Sequence, residues 1–100
     1  MATRALSPDE IADALQTLPG WVVEGDTLVK VYQFTNYLAG VAFASAVGTI
    51  AEGHDHHPDM IINWRKVTVS FTTHDAGSKI TSKDVAAAMA IEALGYPKPQ

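Results

Sequence analysis

The stretch MIINWRKVTVSFTT, residues 60–73, decides the fold because it has the pattern of two β-strands joined by a short turn. Residues 60–64 and 67–73 are rich in β-branched and aromatic side chains, and Arg65-Lys66 between them predicts the turn of a β-hairpin. Alternate residues of a strand face opposite sides of the sheet. One side of the second strand therefore carries Val67, Val69, Phe71 and Thr73, and the other carries Thr68, Ser70, Thr72 and His74.

A further hairpin is predicted nearer the N-terminus. Residues 21–23 and 28–34 have the same strand-forming composition, and the compact sequence Glu24-Gly25-Asp26 predicts a turn between them. Two hairpins in one short chain favour a single antiparallel sheet of four strands.

Two helices begin with sequences typical of capping boxes. Ser7-Pro-Asp-Glu10 predicts the start of the first, Ile11, Leu15 and Leu18 form its apolar stripe, and Pro19-Gly20 is expected to end it. Thr81-Ser-Lys-Asp84 predicts the start of another helix, which Gly95 ends.

The remaining helix lies between the hairpins. Thr35 or Asn36 caps it, and it cannot continue through Pro58, which also favours an extended conformation at His57. Its expected apolar face consists of Ala39, Ala42, Phe43, Ala46, Val47 and Ile50. The predicted order is α-β-β-α-β-β-α, an α+β fold in which three helices cover one face of the four-stranded antiparallel sheet.

Composition narrows the class of protein. The 100 residues suit a single domain over residues 1–100, and 47% apolar residues are enough to form a core. A net charge of −4 and the lack of a basic stripe disfavour binding to nucleic acid. The chain has no cysteine and no apolar segment long enough to span a membrane, and residues 1–7 lack the apolar core of a signal peptide. We therefore expect a soluble, cytoplasmic protein, and a core this small favours association into oligomers.

Three of the four histidines lie in the segment Glu-Gly-His-Asp-His-His-Pro-Asp, residues 52–59. One interpretation is that His54, His56 and His57 are solvated loop residues. Another is a metal site completed by nearby carboxylates, although the His-x-x-x-His spacing of zinc helices is absent. A third is acid–base chemistry, because imidazole exchanges protons near neutral pH.

His74 favours the acid–base interpretation. It follows the last predicted strand, and a hairpin returns the end of its second strand to the start of its first. That first strand begins just after His57. Hairpin geometry therefore brings His74 close to the pair His56-His57.

At these residues the chain resembles the pterin-4a-carbinolamine dehydratase family. Glu52-x-x-x-His56-His57-Pro58, followed by Trp64, His74 and Asp84, is similar to the family signature in residue type and spacing. Thr-Thr-His-Asp-Ala-Gly at residues 72–77 is also similar, and the resemblance covers nearly the whole chain.

The resemblance implies a hydro-lyase, 4a-hydroxytetrahydrobiopterin dehydratase. Members remove water from the 4a-hydroxytetrahydropterin that aromatic amino-acid hydroxylases form, giving quinonoid dihydropterin for pterin recycling. A general acid protonates the departing hydroxyl and a general base accepts the N5 proton, both of which imidazoles can do. The pterin is the substrate, so no cofactor is implied, and the family favours a homotetramer, with a homodimer next.

The resemblance also implies roles for particular residues. The catalytic cluster consists of His56, His57 and His74, with His56 and His74 as the principal proton-transfer groups. Glu52 and Asp84 have supporting roles, and capping of the last helix is the expected role of Asp84. The implied substrate-binding residues are Asp55, His56, His57, Thr72, Thr73, His74 and Asp75, and no metal ligand is implied.

Two other functions stay open from the sequence. The first is a non-catalytic module that binds pterin or serves as a dimerisation cofactor, as animal members do for a homeodomain transcription factor. The second is a metal-binding accessory protein that uses His54, His56 and His57. His54 has no counterpart in the family signature, so we expect it to be solvent-exposed.

Overall fold

The computed structural model describes residues 3–98 and confirms the predicted order of helices and strands. The elements are α1 (Pro8–Leu15), β1 (Val22–Glu24), β2 (Thr27–Gln33), α2 (Tyr37–Gly53), β3 (Asp59–Ile62), β4 (Lys66–Phe71) and α3 (Ser82–Glu92), with a 3₁₀ turn at His74–Ala76 between β4 and α3. The single domain expected over residues 1–100 stays a prediction, and residues 1, 2, 99 and 100 lie outside the described range. No helix within residues 3–98 is long and apolar enough to cross a membrane.

The four strands form one antiparallel sheet in the order β1-β2-β4-β3. The hairpin predicted within residues 60–73 is the β3-β4 pair, and Ile62 lies opposite Val67 where its turn begins. β4 is central and pairs with β2 through Leu28 opposite Phe71. The end of β4 therefore lies in the interior of the sheet, beside the loop that leads into β3.

The helices cover the face of the sheet that carries the apolar side chains of β4. Val67, Val69 and Phe71 are fully buried there, and they pack with Phe43 and Val47 of α2 and with residues of α3 in one core. The face expected for α2 was wrong in part. Its buried residues are Gly40, Phe43, Ala44, Val47 and Ala51, whereas Ala42 is exposed. A helix that is apolar all round gives no periodic signal from which its buried side can be read.

Both predicted capping boxes are present. The Ser7 side chain accepts the N–H of Glu10, whose carboxylate accepts the N–H of Ser7 in return. Thr81 and Asp84 form the same reciprocal pair at α3. The sequence predicted that α1 would continue to Pro19-Gly20, which was wrong. The regular helix ends at Leu15, and a turn leads from there to Pro19-Gly20.

A polar cluster joins Glu92, the last residue of α3, to β2 and to Trp21. One oxygen of Glu92 accepts hydrogen bonds from the Tyr32 hydroxyl at 2.6 Å, from Lys30 Nζ at 2.8 Å and from Trp21 Nε1 at 3.1 Å. Burial alone would raise the pKa of Glu92, but these hydrogen bonds outweigh it and hold the pKa below its usual value.

Candidate active site

The candidate site is a cleft of about 350 Å³ at the junction of three segments. The loop after α2, the segment after β4 and the first turn of α3 meet there. The residues that line the cleft are Asp55, His56, His57, Thr72, Thr73, His74, Asp75 and Lys83. The structure therefore brings His74 together with His56 and His57, as the geometry of the β3-β4 hairpin predicted.

The loop after α2 turns sharply before it enters β3. His54 is the C-cap of α2, and Asp55 has a left-handed backbone conformation with φ of 49°. Aspartate tolerates this conformation better than most residues. The turn returns the N–H of His56 to the carbonyl of Ala51 at 3.1 Å, so the imidazole is carried on a fixed backbone.

His56 is the most enclosed of the cleft histidines. Its side chain is 11% exposed, and its Nε2 lies 2.6 Å from Asp84 Oδ1. The ring stacks on Phe71 with the planes 9° apart and the centroids separated by 5.7 Å. Because Nε2 is engaged with the carboxylate, Nδ1 is the ring nitrogen left for exchange with a ligand.

Asp84 reaches His56 from the buried first turn of α3. Its side chain has no exposure to solvent. Oδ2 accepts the backbone N–H of Thr81 and the hydroxyl of Thr73, each at 2.8 Å. Asp84 therefore caps α3, as expected, and also orients a histidine, which the sequence did not reveal.

His57 and Glu52 form a pair at the outer side of the cleft. His57 Nε2 lies 2.7 Å from Glu52 Oε1, and both side chains are well exposed. Glu52, for which the resemblance implies a supporting role, is therefore placed to orient the imidazole of His57. An exposed pair of this kind contributes little to stability, because solvent screens it.

His74 also lines the cleft, and it lies in the 3₁₀ turn that follows β4. The ring is solvent-exposed, and its only side-chain neighbour among the described hydrogen bonds is Ser78 Oγ, 3.5 Å from Nδ1. The turn ends at Gly77, whose φ of 77° suits glycine. The backbone of His74 is therefore fixed by the turn, while its ring has one long contact, with Ser78.

Trp64 and Thr73, which were singled out in the sequence, have different surroundings in the structure. Trp64 is 73% exposed at the tip of the β3-β4 hairpin, under the guanidinium of Arg65, and it lies outside the cleft. Thr73 lies at the cleft, but it is almost fully buried and its hydroxyl is bonded to Asp84. Within residues 3–98, no group of three or more histidine or acidic side chains is arranged to hold a metal ion.

Lys83 and Phe71 belong to the site but were not predicted from the sequence. Lys83 lines the cleft, and its ammonium lies 3.8 Å from the Asp75 carboxylate. Phe71 supports the ring of His56 from the core side. The alternation along β4 placed Phe71 in the core, but the loop residue that would stack on it had no signal in the sequence.

The fold and the cleft define a class: an α+β domain with a four-stranded sheet and a histidine-lined ligand cleft at the end of its central strand. The family model described as pterin 4 alpha carbinolamine dehydratase matches residues 4–94. The chain therefore belongs to the pterin-4a-carbinolamine dehydratase family. A dehydratase is a hydro-lyase, the class of enzyme that the family name indicates.

Individual relatives agree with this assignment. A protein of Natronomonas pharaonis named "Putative pterin-4-alpha-carbinolamine dehydratase" is 50% identical over 80 residues, which cover 80% of this chain and 84% of that one. A Roseiflexus protein with the same name is 45% identical over 94 residues, covering 94% and 99% of the two chains. The crystal structure of a "transcriptional coactivator/pterin dehydratase" from Brucella melitensis superimposes with a TM-score of 0.83 at 27% identity, over 91% of this chain and 98% of that chain.

Proposed function

We propose that this protein dehydrates 4a-hydroxytetrahydropterin to quinonoid dihydropterin by histidine general acid–base catalysis, in cytoplasmic pterin recycling. The C4a–O bond breaks, and the hydroxyl leaves as water after it receives a proton. The N5–H bond gives its proton to a base, and its electron pair forms the N5=C4a double bond. No oxidation state changes, so the reaction needs neither a redox cofactor nor a second substrate.

The observation that carries this proposal is the meeting of three imidazoles in one cleft. A reaction that gives one proton and takes another needs two groups in different surroundings. His56 is enclosed between a carboxylate and an aromatic ring, whereas His74 is exposed. A cleft of about 350 Å³ is also within the usual range for small-molecule sites.

The geometry suggests a role for each imidazole. Since a carboxylate only accepts hydrogen bonds, His56 carries a proton on Nε2 and donates it in a hydrogen bond to Asp84. Its Nδ1 is then the base for the N5 proton. Asp84 would stabilise the imidazolium that results, as the buried aspartate of a catalytic triad does. His74 then serves as the acid for the 4a-hydroxyl, and His57 assists or binds. Asp55 and Asp75 are left to bind the pterin with their side chains, together with backbone groups of the same segments. The Thr72 hydroxyl donates to the carbonyl of Asp26 at 2.9 Å, so it is left to the pterin as an acceptor.

The test is the rate of dehydration of 4a-hydroxytetrahydropterin, generated in place by a hydroxylase and followed by absorbance in excess chelator. The protein should accelerate the reaction, and His56→Ala and His74→Ala should each lose at least about 100-fold. His54→Ala is the matched control, because His54 is exposed and outside the cleft lining. No acceleration by folded protein, or equal damage from His54→Ala, would overturn the proposal. Loss of activity in chelator alone would favour the metal-binding alternative.

A non-catalytic role is the second candidate. The Brucella melitensis protein is described as a transcriptional coactivator as well as a pterin dehydratase. A module of that kind would bind pterin, or serve as a dimerisation cofactor, without accelerating dehydration. Measuring pterin binding beside the rate separates the two, since binding without turnover supports only the second candidate.

We also propose a homo-oligomer, with a homotetramer or a homodimer as its form. α2 carries no charged residue from Tyr37 to Ala51, although part of its surface faces solvent. Leu38 and Trp64 are each 73% exposed, and such apolar exposure is typical of interaction surfaces. Light scattering during gel filtration tests this, and the 10.7 kDa mass of one chain would contradict it.

A further inference from the structure

A chain of hydrogen bonds runs from the N-terminus of α3 to His56, through residues that solvent does not reach. Thr73, Thr81 and Asp84 are 2%, 0% and 0% exposed. The hydroxyl oxygens of Thr73 and Thr81 are 2.6 Å apart, and Thr73 Oγ1 is 2.8 Å from Asp84 Oδ2. The N–H of Lys83 donates to Thr81 Oγ1 at 3.2 Å.

The direction of each bond follows from which groups carry hydrogen. The carboxylate of Asp84 can only accept, so the Thr73 hydroxyl donates to it. Each hydroxyl has one hydrogen, and that of Thr73 is given to Asp84, so Thr81 donates to Thr73 across 2.6 Å. Thr81 Oγ1 also lies 3.5 Å from Asp84 Oδ2, but the shorter contact is the stronger hydrogen bond. Thr81 in turn accepts from the backbone N–H of Lys83. The other oxygen of Asp84 accepts from Nε2 of His56, which therefore carries the proton on that nitrogen.

We propose that Thr73 is a positioning residue: with Thr81, it holds the Asp84 carboxylate so that His56 keeps its Nε2 proton and presents Nδ1 to the pterin. This assignment rests on the proposed function, and it replaces the substrate-binding role that the resemblance implied for the Thr73 side chain. A hydroxyl that donates to a buried carboxylate has no hydrogen left for a ligand. Hydrogen bonds among neighbouring polar groups strengthen one another where solvent is excluded.

A helix cap alone does not explain Thr73. The cap of α3 consists of reciprocal bonds between Thr81 and Asp84. Thr73 lies in a different segment, after β4, and its neighbour His74 is on the wall of the cleft. The hydroxyl of Thr73 thus links the segment that carries one proposed catalytic histidine to the carboxylate that orients the other.

The first experiment reads the tautomer of His56 by ¹⁵N NMR of the imidazole in the unaltered protein. We expect the neutral ring to carry its proton on Nε2. Finding it on Nδ1 would overturn the proposal, whether or not any variant folds. This readout does not depend on turnover, so a protein that shows the expected tautomer but no dehydration would refute the proposed function and leave the positioning chain intact.

The second experiment compares Thr73→Val with Thr73→Ser. Valine keeps the shape and loses the donor to Asp84, so kcat should fall about 10- to 100-fold, KM should stay within about twofold, and the His56 tautomers should become mixed. Serine restores the hydroxyl and should recover most of kcat. Thr17→Val is the matched control, since it removes an exposed hydroxyl bonded to the carbonyl of Ala14, and it should change neither parameter.

Two outcomes contradict the positioning role. A rise of about tenfold or more in KM with kcat unchanged would make the Thr73 hydroxyl a pterin contact. A fall in kcat with the His56 tautomer unchanged, or with no recovery in Thr73→Ser, would show that the hydroxyl does not act through Asp84.

Discussion

Replacing Asp84 by asparagine exchanges one carboxylate oxygen for an NH₂ group at the residue that links His56 to α3. Three donors lie within 2.8 Å of this carboxylate: the N–H of Thr81 and the hydroxyl of Thr73 on Oδ2, and Nε2 of His56 on Oδ1. Asparagine has one oxygen and one NH₂ group, so it cannot accept from all three. If its oxygen keeps the helix cap, its NH₂ faces His56, whose Nε2 must then lose its proton and accept.

The number of hydrogen bonds that asparagine cannot accept sets the expected loss of stability. A hydrogen bond to a charged group is worth roughly 1.5–3 kcal/mol, so Asp84→Asn should lower the free energy of unfolding by about that amount. Activity should fall much further. Loss of a carboxylate that fixes the tautomer of a catalytic histidine costs on the order of 10⁴-fold in a catalytic triad, so we expect kcat to fall about 10²- to 10⁴-fold here.

Urea denaturation measures the first effect, and dehydration of 4a-hydroxytetrahydropterin measures the second. Asp9→Asn is the control, because Asp9 lies in the first turn of α1 and outside the cleft. It should leave kcat unchanged. If Asp84→Asn kept kcat within about threefold of the unaltered protein while folded, Asp84 would be a helix cap and nothing more.

The remaining predictions concern two carboxylates outside the cleft. Glu92→Gln should cost about 1–3 kcal/mol in urea denaturation, since three donors lose a charged acceptor, whereas the exposed Glu24→Gln should change stability by less than about 0.5 kcal/mol. The pKa of Glu92 is lower in the folded protein than its usual 4.5, so the ionised carboxylate stabilises the fold above pH 4.5, and this stabilisation is lost as pH falls through the folded pKa. Glu92→Gln should therefore reduce the loss of stability that the protein shows on acidification. An unchanged loss would contradict this. The Arg4 guanidinium, by its hydrogen bond, holds the pKa of Glu10 at about 2, so Arg4→Ala should raise it toward 4.5 in an NMR titration. A Glu10 pKa that stayed near 2 would assign the effect to the backbone of Ser7 instead.

The order of helices and strands could be predicted from hydrophobic periodicity and capping sequences, because both depend on residues close together in the chain. The alternation of residues 67–71 specified which face of β4 is buried, and both capping boxes are where the sequence placed them. The exception is α2, which is apolar on every side and so does not reveal which residues it buries. Which residues of α2 are buried is seen only in the folded structure, where Gly40, Phe43, Ala44, Val47 and Ala51 lie in the interior.

The candidate site was readable only in part, for a related reason. A hairpin has one simple geometry, so the proximity of His74 to His56 and His57 followed from chain order. The pairing of carboxylates with histidines did not. Glu52 and Asp84 are both near the cleft, and only the packing of α3 against the core brings Asp84 to His56 and leaves Glu52 for the exposed His57.

The sequence by itself determined the strands, the helix starts and the collection of imidazoles at one end of the sheet, because each depends on residues close in the chain or paired in a hairpin. The tertiary structure alone decided the environment of each imidazole. His56 lies 28 residues from Asp84, and its contact with that buried carboxylate and with Phe71 exists only after the loop, the sheet and α3 have packed together. Proton transfer depends on those environments, since burial and hydrogen-bond partners set which nitrogen of an imidazole holds a proton.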